Sequence, residues 1–157
     1  MFVTTEVMSA VLKMHPFASG MEPEQLAMLS TLAREGHFEK GQIIFREGEE
    51  CRFFYLVMGG RIALEIPAPG HPALIQTLGP GDELGWSSML MRGGRHFQSR
   101  AVERTEVIWF DAGELHTLCH REPEFGLTVM ERLLGIVSER LEATRMQLMD
   151  LYAPHSR

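Results

Sequence analysis

The chain has 157 residues, a formal net charge of −6 and two cysteines. This length suits one domain with a core of its own, and the excess of acidic residues argues against a basic nucleic-acid-binding surface. No apolar run approaches the length of a membrane span, the first residues lack the features of a signal peptide, and two cysteines do not make a disulfide framework. We therefore expect one reduced domain in the cytoplasm.

Residues 1–35 are predicted to be a helical lead-in. Apolar residues recur at helical spacing around Val7 and Val11, and the segment HPFASG interrupts this pattern. A second helix is predicted to start near Pro23, because proline is favoured in the first turn and three leucines follow on one face.

Residues 36–111 change to short β-type runs that are separated by Gly, Pro and Asp. Regularly spaced short strands with turn residues between them predict a β-sandwich or a small barrel rather than a βαβ sheet. The predicted strands are 42–46, 52–58, 61–66, 73–79, 97–103 and 105–111. The segment 84–96 interrupts them and is apolar enough to form a turn of helix.

Residues 112–152 are predicted to form two helices. Asp111 can cap the first, with Glu114 as its capping-box partner, and the second runs from about 123 to 152. In this long helix apolar residues and one threonine are spaced alternately four and three apart, which is the heptad pattern of a helix that pairs with another helix. They are Met130, Leu134, Val137, Leu141, Thr144, Leu148 and Leu151. We expect a homodimer through residues 130–151; the alternative is that this stripe packs on the chain's own β-roll.

The order of these elements resembles the cyclic-nucleotide-binding domain family. The stretches FEKGQIIFREGEE, FFYLVMGGRIAL, QTLGPGDELG and AVERTEVIWFD are similar to the family's successive strands and turns, and HPFASGMEPEQLAML is similar to its helical lead-in. The resemblance implies an α+β fold, with a jelly-roll-like β-roll of about eight strands between N-terminal helices and a long C-terminal dimerisation helix. It also implies a single domain over residues 1–157, with a phosphate-binding cassette at residues 84–96.

The first half of the cassette departs from the family at one informative position. The family's pattern there is Gly-Glu-Leu-Ala, and the resemblance places Gly85, Trp86, Ser87 and Ser88 on these four residues. A short helix start with free N–H groups is an anion site, so the phosphate-binding half of the cassette is expected to be kept. In the family the glutamate accepts a hydrogen bond from the ribose 2′-hydroxyl, whereas an indole only donates.

The second half of the cassette supplies a cation. The resemblance places Arg95 on the family's arginine, whose guanidinium pairs two phosphate oxygens, and His96 on a Ser or Thr that it replaces as a donor. Three interpretations of Trp86 remain open at this point. It stacks on a base or an unusual ligand, or it fills the pocket and excludes nucleotide, or it points into the roll as core while the backbone around it binds ligand.

The long helix is expected to close the pocket from the other side. In the catabolite-activator branch of the family, a Thr-Ser pair on this helix reads the base, with one residue from each subunit. The stretch RLEATRMQL resembles it, which places Thr144 and Arg145 on these two positions. Alternatively, Thr144 sets the register of the helix pair, and Arg145 pairs with a partner carboxylate or has no role.

The resemblance implies a non-enzymatic regulatory module for signal transduction. It would bind a cyclic nucleotide such as cAMP or cGMP, require no other cofactor, and signal through its dimer helix to a partner protein. The winged helix-turn-helix that follows this helix in the family's transcription factors is missing from the sequence, so neither DNA nor a membrane is an expected partner. The alternative is a degenerate module with the same fold, which binds no nucleotide and serves dimerisation or docking.

Other chemistry has little support in the sequence. No catalytic motif or metal-ligand spacing appears, and His116 and His120, four residues apart, lack a third ligand nearby. Two separated cysteines cannot hold an iron–sulfur cluster, and none of the histidines has the setting of a haem ligand. We therefore predict no catalytic residues and no metal site.

Overall fold

The computed structural model describes residues 4–50, 52–90 and 97–153. Within these ranges the helices are α1 Thr5–Leu12, α2 Pro23–Leu32, α3 Ser87–Leu90, α4 Ala112–Arg121 and α5 Pro123–Tyr152. The strands are β1 Arg34–Phe38, β2 Ile43–Phe45, β3 Phe53–Gly59, β4 Ile62–Ile66, β5 Ala73–Leu78, β6 Glu83–Leu84, β7 Gln98–Ala101 and β8 Thr105–Asp111. This order confirms the α+β class, with a β-roll between N-terminal helices and a long C-terminal helix. None of the helices described is both long and apolar enough to span a membrane.

The strands form two antiparallel sheets of four strands each. Sheet A has the order β1-β8-β3-β6, and sheet B has the order β2-β7-β4-β5. Six of these strands lie where the sequence predicted them, whereas β1 and β6 were missed. The sequence of β1, REGHF, has little apolar alternation, and β6 has only two residues, so pairing with β8 and β3 makes these segments strands. Because β1 begins at Arg34, the helical lead-in ends earlier than the predicted boundary at residue 35.

Two apolar clusters lie on opposite faces of sheet A. The helix-side core lies between sheet A and the helices, and β3 contributes Phe54 and Leu56 to it. The roll interior lies between the two sheets; its buried members are Phe45, Val57, Ile62, Leu64, Leu78 and Leu84. Consecutive residues of β3 thus face different cores, as the alternation of side chains along a strand requires.

The buried residues of helix α5 all lie in its first half. Its buried residues are Phe125, Gly126, Val129, Leu133 and Ile136. The predicted heptad stripe lies one residue further along, about 100° around the helix, and its leucines are exposed: Leu134 by 65%, Leu141 by 50%, Leu148 by 48% and Leu151 by 78%. The alternative that this stripe packs on the chain's own roll is therefore wrong for these leucines. From Leu141 to Ala153 every residue is exposed.

Two helix starts form as the sequence predicts. Pro23 is the first residue of α2, and the Asp111 side chain accepts a hydrogen bond from the Glu114 amide at 3.0 Å. The Glu114 carboxylate pairs with Arg34 at 3.3 Å, so this side chain ties α4 to β1.

Candidate ligand-binding site

The cassette begins where β6 leaves sheet A. Glu83 lies opposite Leu56 of β3, and residues opposite each other share a face of the sheet. Glu83 therefore faces the helix-side core, while Leu84 belongs to the roll interior. Gly85 follows with a φ of 84°, which a residue with a Cβ adopts only under strain, and turns the chain into α3.

Ser88 closes this turn with two of its own groups. Its amide donates to the Gly85 carbonyl at 2.9 Å, and its hydroxyl donates to the same oxygen at 2.6 Å. The amide of Ser88 is therefore not one of the free N–H groups that the sequence predicted. Its hydroxyl would have to leave Gly85 in order to donate to a phosphate. Ser87 is half-buried on the same turn, and the ligand roles of all three residues stay predictions.

Trp86 packs on the outside of the roll. The residue is half-buried and contacts the helix-side core, to which Met89 of α3 also belongs. Of the three interpretations, the structure supports core packing with one correction, since this core lies between sheet A and the helices rather than inside the roll. The indole therefore does not fill the space between the two sheets.

Arg95 and His96 lie outside the described residues, so their phosphate contacts stay predictions. The described chain resumes at Phe97, which packs on the roll interior with its ring 5.7 Å from that of Phe45. Leu84, the last residue before Gly85, also belongs to the roll interior. Both ends of the cassette are thus anchored on this one cluster.

An ion pair that the sequence analysis missed joins β7, which follows the cassette, to β4. Glu65 is 3% exposed and accepts hydrogen bonds from Arg100 at 3.0 and 2.9 Å and from Gln98 at 3.1 Å. The bonds from Arg100 hold the pKa of the Glu65 carboxyl below its ordinary value. A glutamate in the apolar strand RIALEI was the pattern that could have indicated this pair.

Ser99 carries an unmatched hydroxyl inside the roll. It is 0% exposed, and in the described part of the chain its Oγ is the one buried side-chain oxygen or nitrogen without a hydrogen-bond partner. Its cross-strand neighbours are Phe45 of β2 and Leu64 of β4, so it shares their face and points into the roll interior. Leaving a hydroxyl unpaired in such surroundings costs about 1–3 kcal/mol.

Helix α5 reaches the strand that enters the cassette. Arg140 donates through Nη2 to the backbone carbonyl of Glu83 at 2.9 Å. The Glu83 side chain is 8% exposed, and burial raises the pKa of its carboxyl to about 7, against the opposing charge of Arg140. Asp82 and Glu139 raise this pKa further through their negative charges. The long helix is thereby bonded to the chain two residues before Gly85.

His15, in the N-terminal lead-in, bonds the residue that directly precedes β6. It is 1% exposed, its Nδ1 accepts the backbone N–H of Phe17 at 3.1 Å, and its Nε2 therefore donates to the carbonyl of Asp82 at 3.0 Å. Burial lowers the pKa of the imidazole. A neutral histidine in the lead-in thus supports the entry to the cassette.

The structure of one chain does not bring Thr144 and Arg145 together with the cassette. The Thr144 hydroxyl donates to the carbonyl of Arg140 at 2.8 Å, and the Arg145 guanidinium lies 4.0 Å from the carboxylate of Glu142. Among the described residues no hydrogen bond joins either side chain to residues 85–90. Their predicted ligand roles therefore depend on a second chain.

The two histidines on α4 share one helix face, as their spacing predicts. The rings of His116 and His120 lie 4.6 Å apart between centroids. In residues 4–50, 52–90 and 97–153 no three His, Cys, Asp or Glu side chains are grouped so that they could hold a metal ion. Among the described residues these two histidines therefore contact each other without a third side chain that could complete a metal site.

Two antiparallel sheets, a helical turn between β6 and β7 and a long C-terminal helix define the architecture of a β-roll domain. The chain belongs to the cyclic nucleotide-binding domain family, whose model matches residues 35–122. This match contains the whole cassette.

Relatives and solved structures agree with this assignment. The chain is 28% identical over 133 residues to the CRP-like cAMP-activated global transcriptional regulator of Mycobacterium tuberculosis, which covers 84% of this chain and 58% of that protein. It is similar to the catabolite activator protein of Thermus thermophilus, with a TM-score of 0.70 and 27% identity over 87% of this chain and 62% of that one. A cyclic nucleotide-binding domain from Methylobacillus flagellatus KT shares the fold, with a TM-score of 0.79 and 16% identity over 98% of this chain and 86% of that one. The chain therefore spans less than two thirds of the first two proteins.

Proposed function

We propose that this chain is a non-enzymatic sensor module that binds a cyclic nucleotide such as cAMP or cGMP in the cassette at residues 84–96. The observation that carries the proposal is the position of Trp86, which departs most from the family's cassette. Because Trp86 packs against the helix-side core, the indole leaves the space between the sheets to a ligand. Family membership over residues 35–122 supports the same conclusion.

The phosphate is the part of the ligand that this cassette suits best. In this proposal the planar guanidinium of Arg95 pairs with two phosphate oxygens, and His96 donates one more hydrogen bond to the phosphate. The turn at Gly85, which has a φ of 84°, lets the backbone approach the phosphate closely. The sugar loses the carboxylate that the family's cassette provides. One such contact is worth about 1–3 kcal/mol, so we expect affinity about ten- to a hundredfold below that of a cassette with the glutamate.

The bond from Arg140 to the carbonyl of Glu83 offers a route from ligand to helix. This bond joins α5 to β6 at 2.9 Å, and β6 continues directly into Gly85. A ligand that binds one arrangement of the cassette more tightly than another shifts α5 between two positions. Output to a partner protein then follows from the position of α5.

The partner of the exposed half of α5 is proposed to be a second copy of this chain. Four leucines at heptad spacing are about half exposed or more, and parallel pairing of two such stripes buries them against each other. In that dimer Thr144 and Arg145 of the two chains approach the cassettes, which is where the family resemblance places them.

Calorimetric titration with cAMP, cGMP and a cyclic dinucleotide tests the ligand proposal. We expect saturable binding of one of them to the wild type and a loss of at least tenfold in Arg95→Ala. Arg92→Ala is the matched control, since it removes the same charge from the same segment and is expected to change affinity by less than threefold. Absence of binding by folded wild type would contradict nucleotide sensing and favour the dimerisation or docking module.

Light scattering of size-separated protein tests the dimer. Leu141 lies in the heptad stripe and Met146 lies outside it, and their exposures of 50% and 53% are nearly equal. We expect a dimeric wild type, a monomeric Leu141→Glu variant and a dimeric Met146→Glu variant. A monomeric wild type, or equal behaviour of the two variants, would contradict pairing through this stripe.

A further inference from the structure

The unmatched hydroxyl of Ser99 lies directly after the cassette. Ser99 is the third residue after position 96, is 0% exposed, and faces the roll interior between Phe45 and Leu64. Leu84 at one end of the cassette and Phe97 at the other pack on the same cluster. The hydroxyl is therefore in the part of the roll that a ligand held by the cassette would enter.

Two buried polar residues of the helix-side region, Ser30 and His15, have hydrogen-bond partners. Ser30 donates to the carbonyl of Leu26 at 2.6 Å and contacts the hydroxyl of Ser9 at 2.7 Å, and both ring nitrogens of His15 are bonded. Buried polar groups in folded proteins are almost always hydrogen-bonded. An oxygen left without a partner at this one place indicates that its partner comes from outside the chain.

The chemistry of a cyclic nucleotide points to one group on the ligand. In a 3′,5′-cyclic nucleotide two ribose oxygens are tied up in the phosphodiester, so the 2′-hydroxyl is the free hydroxyl of the sugar, next to the phosphate. Residues 84–96 contain no Asp or Glu, so no cassette carboxylate accepts its proton. A serine hydroxyl donates and accepts equally well.

We propose that Ser99 hydrogen-bonds the ribose 2′-hydroxyl of the bound cyclic nucleotide from inside the roll. This inference rests on the proposed function, and it makes Ser99 a specificity residue for ribose over deoxyribose. It also explains a polar residue on a strand face whose neighbours, Phe45 and Leu64, are apolar.

The test is a cycle of two proteins and two ligands, measured by calorimetry. Wild type is expected to bind 2′-deoxy-cAMP about tenfold more weakly than cAMP, whereas Ser99→Ala binds both with the same lowered affinity. If Ser99→Ala binds cAMP as tightly as the wild type does, the role of Ser99 is overturned. The role is also overturned if the variant keeps the wild type's preference for cAMP over 2′-deoxy-cAMP. Either result leaves the proposed function in place. Absence of binding of cAMP, cGMP and the cyclic dinucleotide to wild type overturns the proposed function and this inference with it.

A second readout is the melting temperature without ligand. Because Ser99→Ala removes an unpaired buried hydroxyl, the ligand-free variant is expected to melt a few degrees above the wild type. Saturating cAMP is expected to raise the melting temperature of the wild type more than that of the variant. A ligand-free variant that melts below the wild type would show that the hydroxyl has a partner within the protein, and would overturn the inference.

Discussion

The two faces of sheet A are built for different tasks. The helix-side core holds large side chains that are almost fully buried, such as Phe54, Phe110 and Phe125, and its buried His15 and Ser30 are hydrogen-bonded. The roll interior is smaller, is bordered by half-buried aromatic rings, and contains the unpaired hydroxyl of Ser99. The unpaired hydroxyl therefore lies on the roll side of the sheet, where a ligand or water could supply its hydrogen bond.

The largest change in stability is expected for Gly126→Ala in the helix-side core. A Cβ at Gly126 would overlap the backbone carbonyl of Cys119, where α5 crosses α4. Backbone cannot rearrange cheaply in a packed core, so we expect a loss of about 3 kcal/mol or more in the free energy of unfolding. Urea denaturation measures the change.

Gly135→Ala is the control on the same helix. A Cβ there meets nothing within 4 Å, so removing a glycine from an exposed helical position should stabilise the protein by about 0.5–1 kcal/mol. Equal effects of the two substitutions would mean that α5 is not held closely against α4.

The next test concerns Glu83, a buried acid on the helix side of β6. A pKa of about 7 in the folded protein, against an ordinary 4.5, means that the folded state binds a proton more tightly than the unfolded state. The stability from this group is complete below about pH 4.5 and is lost as pH rises through 7. Glu83→Gln should therefore be more stable than wild type at pH 8, by at most about 3 kcal/mol, and equally stable near pH 4.

Because His15 also titrates, the effect of Glu83 on stability must be measured as the difference between wild type and Glu83→Gln. Its lowered pKa makes stability fall as pH drops below the ordinary value of 6.5, which is the opposite trend. Chemical denaturation of wild type and Glu83→Gln at pH 4, 6 and 8 cancels the contribution of His15. A difference that does not change with pH would show that the pKa of Glu83 in the folded protein is close to its ordinary value, as for a carboxyl that faces water.

Among the substitutions expected to change stability, apart from the control at Gly135, the smallest effect is that of Trp86, which packs against the helix-side core. Trp86→Ala should lower the free energy of unfolding by about 2 kcal/mol, below the range for a fully buried tryptophan because the residue is half-buried. Trp86→Phe keeps most of the packing and should cost less than about 1 kcal/mol. Tighter cyclic-nucleotide binding in Trp86→Ala without loss of stability would place the indole in the ligand space instead.

Much of the fold could be predicted from local patterns. Pro23 and Asp111 mark helix starts by their own chemistry, and the long helix and six strands follow from hydrophobic periodicity. β1 and β6 could not be predicted, because the hydrogen bonds that make them strands come from β8 and β3. The same distinction holds for the candidate site. The order of the motifs indicated residues 84–96 as the cassette, but it could not show on which side of the sheet Trp86 packs.

The sequence by itself predicted six strands, the helix starts and the heptad stripe of α5, because strand alternation, turn residues and helical spacing are local properties of a chain, and the resemblance of its motifs indicated the family. The tertiary structure alone decided on which side of sheet A each residue lies. The turn at Gly85 carries Trp86 to the helix-side core, and sheet pairing buries Ser99 without a partner. Arg140 reaches the carbonyl of Glu83 across 57 positions of sequence, because packing on sheet A brings α5 alongside β6.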